Sequence, residues 1–242
     1  MSHPAHVKAL YFDVFGTVAD WYSQVVTEGE ALSQKTGVAV PWGEFALKWR
    51  IDGYIAALIK IAAKQADLIP TEKIHRLKLN ELLVDYGLTA LSEAEIADFN
   101  RAWNRIQPWP DVVQGLQMLK QHYMIMPFSN GDLRCLTEIA KNSGLPWDAI
   151  ISADFFKKVK PDPSIYHDAA SIMNLAPSEI MMVACHAQDL AGAMKSGMRT
   201  AYVARPLEYG PGRQPEEKPM PFDYDVSDFH ELAKVLIADR VA

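Results

Sequence analysis

The sequence predicts an α/β protein: a Rossmann-like parallel sheet core with helices on both faces, plus an inserted helical cap domain. Three observations predict it. An apolar strand over residues 7–14 runs into a carboxylate and a glycine turn, residues 21–103 read as helix after helix, and from residue 108 onward strand and helix patterns alternate. Strands alternating with helices build parallel sheets, because each parallel connection needs a long crossover. The first strand must join that sheet, since the helical stretch offers it no partner. The chain then divides into a core domain, residues 1–17 and 105–242, and a cap, residues 18–104.

Within the helical stretch, Ile51, Ile55, Leu58, Ile59 and Ala62 recur at three- and four-residue steps, an apolar stripe along a helix over residues 45–64. Arg50 sits near its start. Pro70-Thr71 opens the next helix and Gly87 closes it, and Ser92-Glu93-Ala94-Glu95 has the form of a capping box for another. Core strands are expected at residues 123–128, 149–152, 180–184 and 200–203, a surface loop from Tyr209 through Pro215 and Pro219 to Pro221, and a last strand and helix over residues 224–237.

Composition narrows the function. At 242 residues, 49% apolar and 22% charged, the chain is an ordinary globular protein with room for a substantial core. A formal charge of −6 without a Lys/Arg run argues against nucleic acid and anionic membranes as partners. Met1 to His6 lacks the pattern of a signal peptide, and no apolar run reaches spanning length. Cys135 and Cys185 show neither zinc nor redox spacing, which fits a reducing cytoplasm.

Chemistry gathers at strand ends. Asp13 follows Tyr11-Phe12, and a carboxylate beside two large apolar side chains needs partners or a task, because an unpaired buried charge costs several kcal/mol. Ser129-Asn130-Gly131 follows a second strand, and His186-Ala187-Gln188-Asp189 follows a third. Lys160-Pro161-Asp162-Pro163 lies between them, ahead of a helix bearing Tyr166. Singly, these read as turns, a loop lysine and a helix-start carboxylate. In a parallel sheet, however, all of them collect at the one edge where ligands bind.

In this order, Asp13, Ser129, Lys160 and Asp189 resemble the four motifs of the haloacid dehalogenase-like hydrolase superfamily. Asp13-Val14-Phe15-Gly16-Thr17, Trp49-Arg50, Phe128-Ser129-Asn130-Gly131 and Val183 to Leu190 are most similar to its type II 2-haloacid dehalogenases. Phosphatases of the superfamily carry an acid two residues after the nucleophile and an acidic metal ligand four before the last Asp. Those positions are Phe15 and Cys185 here. Phe15 transfers no proton, and a thiol is a poor ligand for Mg²⁺.

The resemblance therefore implies hydrolytic removal of halide from short-chain 2-haloacids, including haloacetate, 2-halopropionate and fluoroacetate. Asp13 would displace halide with inversion and form an ester. Lys160 and Thr17 would support it, and Asp189 would direct water at the ester. Arg50, Asn130 and His186 would meet the halide, and Ser129, with Val14, Phe15 and Tyr166, would hold the substrate. No metal or cofactor is implied. The partner is a halogenated carboxylic acid, and a homodimer through the amphipathic stripe is an expectation that the same stripe, read as core, does not require. Two alternatives remain: a Mg²⁺-dependent phosphatase or phosphonatase, and a scaffold without activity. The best-known members have Ser-Ser-Asn-Ala-Trp-Asp where this chain has Ala184-Cys185-His186-Ala187-Gln188-Asp189.

Overall fold

In the computed structural model, residues 7–213, 218 and 220–241 are described. Met1 to His6, and Pro215 and Pro219 of the expected surface loop, lie outside the described residues. The chain runs β1 (Ala9–Phe12), β2 (Ala19–Asp20), α1 (Trp21–Thr36), α2 (Trp42–Lys48), a π-helical segment (Trp49–Ile55), α3 (Ala56–Ala62), α4 (Thr71–Asp85), α5 (Glu93–Asn100) and β3 (Gln107–Pro108). It continues through α6 (Val112–Lys120), β4 (Met124–Ser129), α7 (Leu133–Ser143), β5 (Ile151–Ser152), α8 (Pro163–Ile172), β6 (Ile180–Ala184), α9 (Ala187–Lys195), β7 (Arg199–Val203), β8 (Tyr224–Val226) and α10 (Phe229–Val241).

Six strands form one sheet in the order β5-β4-β1-β6-β7-β8, and every pairing is parallel. The period-two alternation of a strand explains how both faces are covered. Leu10 and Phe12 of β1 pack with α6, α7 and α10, whereas Ala9 and Tyr11 point to the opposite face and pack with α8 and α9. Tyr11 is fully buried, and its hydroxyl donates to the Ala169 carbonyl at 2.8 Å, so burial leaves no polar atom without a partner.

The helical stretch leaves and returns to the sheet through β2 and β3, a short antiparallel pair the sequence pattern did not announce. Two residues on each side are too few to show an alternation. Asp20 caps α1 by accepting the Ser23 N–H, and the Ser92/Glu95 capping box of α5 is formed as expected. The helix expected over residues 45–64 is broken into α2, the π segment and α3. Periodicity does not separate these, because a wide turn shifts side chains by only a fraction of a turn. The π segment buries Trp49, Arg50, Gly53 and Tyr54.

Arg205 ties the first loop to the helix layer. Its Nε donates to the Thr17 carbonyl at 2.8 Å, and its two Nη groups grip both oxygens of Asp111 at 2.9 Å. Asp111 in turn accepts the Phe229 N–H that starts α10. Burial opposes the Asp111 charge, but Arg205 outweighs it and holds the carboxyl below its ordinary pKa. Removing the arginine leaves a half-buried charge without its partner, so Arg205→Ala is expected to lower stability by about 3 kcal/mol, read from the urea midpoint. A depressed folded-state pKa adds stability that is present above the unfolded value of about 3.9 and lost as pH falls through the folded value. The variant should therefore lose less stability than the parent over that acid range.

Candidate active site

The carboxyl ends of β1, β4 and β6 meet where the chain switches from one side of β1 to the other, the position at which open α/β sheets bind ligands. β1 leads to Asp13, β4 ends in Ser129, and β6 leads through Cys185 and His186 into α9, whose first turn carries Asp189. A cavity of about 630 Å³ covers them. Asp13, Phe15, Ser129, Asn130, Lys160, His186, Gln188 and Asp189 line its sheet side, and Arg50, Tyr54, Ile55 and Leu58 line its helical side. Residues of the apolar stripe from Ile51 to Ala62 line the cavity, while Ile51 and Ile59 also stay exposed to solvent.

Lys160 lies between two carboxylates. Its Nζ donates to Asp13 Oδ1 at 3.0 Å and also to Asp189 Oδ2, and all three side chains are buried. Burial alone would raise the pKa of Asp13, but Lys160 and then His186 outweigh it and hold the group well below the carboxylate range. Asp189 moves the other way: burial pushes it up against the pull of Lys160, and the Asp13 charge adds to the rise. Lys160 stays charged, since the two carboxylates more than offset its burial. Two acids whose pKa values are driven apart across one cation are suited to separate roles, the one a nucleophile and the other a base. Asn130 fixes the lysine's backbone, donating from Nδ2 to the Lys160 carbonyl at 3.1 Å and accepting its N–H at 2.7 Å.

Two residues expected at the substrate stand elsewhere. Tyr166 is fully buried, does not line the cavity, and donates its hydroxyl to Asp189, so it positions that carboxylate. Val14 packs into the core, and its carbonyl accepts from Val18 and Ala19. Ser129 and Phe15 do line the cavity. Ser129 Oγ accepts the Gly131 N–H at 3.1 Å, which leaves its own hydrogen to donate.

Arg50 is held in a cage of rings. Its guanidinium carbon lies 4.9 Å from the Tyr54 ring centre, 5.5 Å from Phe15 and 5.6 Å from Trp21. It is only 3% exposed and has no carboxylate partner; one Nη reaches the Phe15 carbonyl at 3.4 Å, while Nε and the other Nη have no partner among the described residues. Such a cation is costly to bury, and it lines the cavity. An anion entering there would receive it.

His186, expected at the halide, instead spans two acids. Nδ1 is 3.1 Å from Asp13 Oδ2, and Nε2 is 2.9 Å from Glu208 Oε1. Glu208 was not expected from the sequence: it lies in a loop far from every motif and is 4% exposed. The signal that could have found it is Gly16. This residue has φ of +93°, and a Cβ there would sit 2.2 Å from Glu208 Oε1. Thr17 completes the corner, donating to Asp13 Oδ2 at 2.9 Å and accepting the Cys185 N–H at 3.0 Å.

Cys185, His186 and Glu208 bring one ligand atom each within 4.8 Å, the only such group of three among the described residues. A thiol and an imidazole are poor ligands for the oxygen-seeking Mg²⁺, and both imidazole nitrogens already face carboxylates, Asp13 and Glu208. Between Asp13 and Asp189 the Lys160 ammonium bridges the facing oxygens.

A family model for haloacid dehalogenase-like hydrolases matches residues 7–194. An (S)-2-haloacid dehalogenase of Xanthobacter autotrophicus is 30% identical over 202 residues, 82% of this chain and 76% of the relative. A crystal structure of an L-2-haloacid dehalogenase superposes with a TM-score of 0.90 at 37% identity, covering 96% of this chain and 99% of the other. A defluorinating L-2-haloacid dehalogenase gives 0.91 at 34% identity, covering 98% and 99%.

Removing the shared cation tests the electrostatics directly. In Lys160→Met, Asp13 and Asp189 face one another unscreened, and the ionisation of Asp13 should move up into the measurable acid range in a carbon-13 NMR titration of labelled aspartate. An Asp13 signal that titrates as in the parent would mean that His186 alone keeps it ionised.

Proposed function

The chain belongs to the haloacid dehalogenase-like hydrolases, and we propose that it is a metal-independent 2-haloacid dehalogenase turning short-chain 2-haloacids into 2-hydroxy acids and halide. The observation that carries this reading is the buried Arg50, with unpaired N–H groups, on the wall of the same cavity as an aspartate that is kept ionised.

Asp13 attacks the halogen-bearing carbon, with inversion, while the electron pair of the carbon–halogen bond leaves on the halide. Arg50 meets that halide inside a ring-lined site, and the second Nδ2–H of Asn130 is free to help. The Ser129 hydroxyl is free to hold the substrate carboxylate. Asp189, with its raised pKa and its hold on Tyr166, is the base for the water that opens the ester. Division of labour follows the chain: residues 1–17 and 105–242 supply the nucleophile, the base and Asn130, and residues 18–104 supply Arg50. A phosphatase would need an acid where Phe15 stands. No helix among the described residues is long and apolar enough to cross a membrane, and both cysteines are free and buried, which suits the cytoplasm.

Halide release from chloroacetate, fluoroacetate and each enantiomer of 2-chloropropionate should persist in EDTA and disappear in Asp13→Asn. Arg50→Met should lower kcat/KM by about 10²–10³, the scale set by removing a group that meets transition-state charge. Phosphate-ester hydrolysis that needs Mg²⁺, with no halide from any substrate, would reverse the assignment.

A further inference from the structure

The two oxygens of Asp13 are not equivalent. A carboxylate oxygen has about two acceptor positions. Oδ2 has both filled, by the Thr17 hydroxyl at 2.9 Å and His186 Nδ1 at 3.1 Å, whereas Oδ1 takes a single bond, from Lys160 at 3.0 Å. Oδ1 therefore keeps the lone pair that can attack carbon, and Oδ2 becomes the carbonyl oxygen of the ester. We propose, resting on the dehalogenase reading, that His186, gripped between Asp13 and Glu208, forms with Thr17 the oxyanion site for hydrolysis of that ester, and that Glu208 is its positioning residue.

Both contacts of the ring require the same form of it. If Nε2 carried no hydrogen, its lone pair would face a Glu208 oxygen at 2.9 Å, and if Nδ1 carried none it would face Asp13 Oδ2 at 3.1 Å. Only a ring protonated at both nitrogens satisfies the two carboxylates. The groups around it agree. Burial works against the charge, yet Cys185, Glu208 and Asp13 raise the pKa of His186 well above its usual value. The Cys185 thiol is itself pushed up to about 11 by burial and is neutral at pH 7, so the carboxylates carry the effect. Lys160 acts on the far oxygen of Asp13, Asp189 lies beyond it, and Arg50 and the Trp21 N–H help keep Glu208 ionised.

Hydrolysis then runs as follows. Water attacks Cγ of the ester while Asp189 takes one of its protons, and the C=O pair moves onto Oδ2 beneath two donors already in place. The Cγ–Oδ1 bond breaks with its pair going to the product oxygen, which receives the proton Asp189 took. The second water proton leaves to solvent as Asp13 ionises. The same donors have opposite effects on the two steps: they draw electrons from Asp13 when it attacks carbon, and stabilise it when it becomes an oxyanion.

Rapid-quench kinetics with (S)-2-chloropropionate separates the steps, with halide reporting ester formation and lactate reporting its hydrolysis. In His186→Leu the halide burst should be as fast as the parent's or faster, steady-state turnover should fall by about 10², and the carboxyethyl ester should accumulate on Asp13 by intact mass. Glu208→Gln should show the same split with about a tenfold loss, and its alkaline limb of kcat should move to lower pH, because a carboxylate that keeps the ring charged is gone. His186→Asn, which keeps a neutral donor, should fall between parent and His186→Leu, and it carries the test if the leucine variant does not fold. Burst and turnover slowed in equal measure, or no accumulated ester, would overturn the oxyanion role while leaving the dehalogenase reading intact. No halide from the parent protein would overturn both.

Discussion

One ammonium group organises the site. Lys160 sits where two buried carboxylates would otherwise repel each other, and the cost of burying three charges is offset only because each oxygen facing it is bonded. Everything nearby serves to hold that geometry. Asn130 fixes the lysine backbone from both sides, Tyr166 holds the far oxygen of Asp189, and Thr17 and His186 hold the far oxygen of Asp13. The result is an asymmetric pair in which one acid is locked in its charged form and the other is eased toward accepting a proton. Neither strand end alone could produce that asymmetry.

Arg50 is the opposite case, a charge left deliberately under-bonded. The π segment buries it against Tyr54, and Phe15 and Trp21 close the cage from the first loop and α1. Rings stabilise a cation by a kcal/mol or so each, which is less than a carboxylate would give. The shortfall leaves Arg50 N–H groups able to receive an anion from the cavity. His75, stacked on Trp103 at 4.3 Å and facing Tyr54, is buried and kept neutral by that burial and by Arg50, so it adds no competing charge.

Most of the sheet was legible in the sequence because it follows from alternation and from apolar runs between turns, and the gathering of Asp13, Ser129, Lys160 and Asp189 at one sheet edge follows from the parallel topology. The π segment was not, since its period is too close to that of a helix. Tyr166 was misjudged for a related reason: sequence order places it near the edge, but whether a side chain faces the cavity or the layer beneath depends on the rotation of α8. Glu208 was invisible. It lies in a proline- and glycine-rich stretch without periodicity, and its meaning comes only from a partner 22 positions away. Its one trace was Gly16, whose positive φ reads locally as a turn and whose missing side chain makes room for that carboxylate.

That misreading changed the chemistry assigned to His186. Read alone, a histidine beside a nucleophile invites a role as a free donor to a leaving group. With Glu208 on one nitrogen and Asp13 on the other, it has no hydrogen to spare, and its influence must pass through Asp13. A charged donor on a nucleophile slows attack on carbon and favours the later oxyanion, so on the oxyanion reading the two steps pull against each other at this residue. Sulfur in Cys185 fits the same logic: the thiol reaches the other Glu208 oxygen, Oε2, at 3.5 Å, and as a neutral, weakly polar neighbour it leaves Oε1 to the imidazolium.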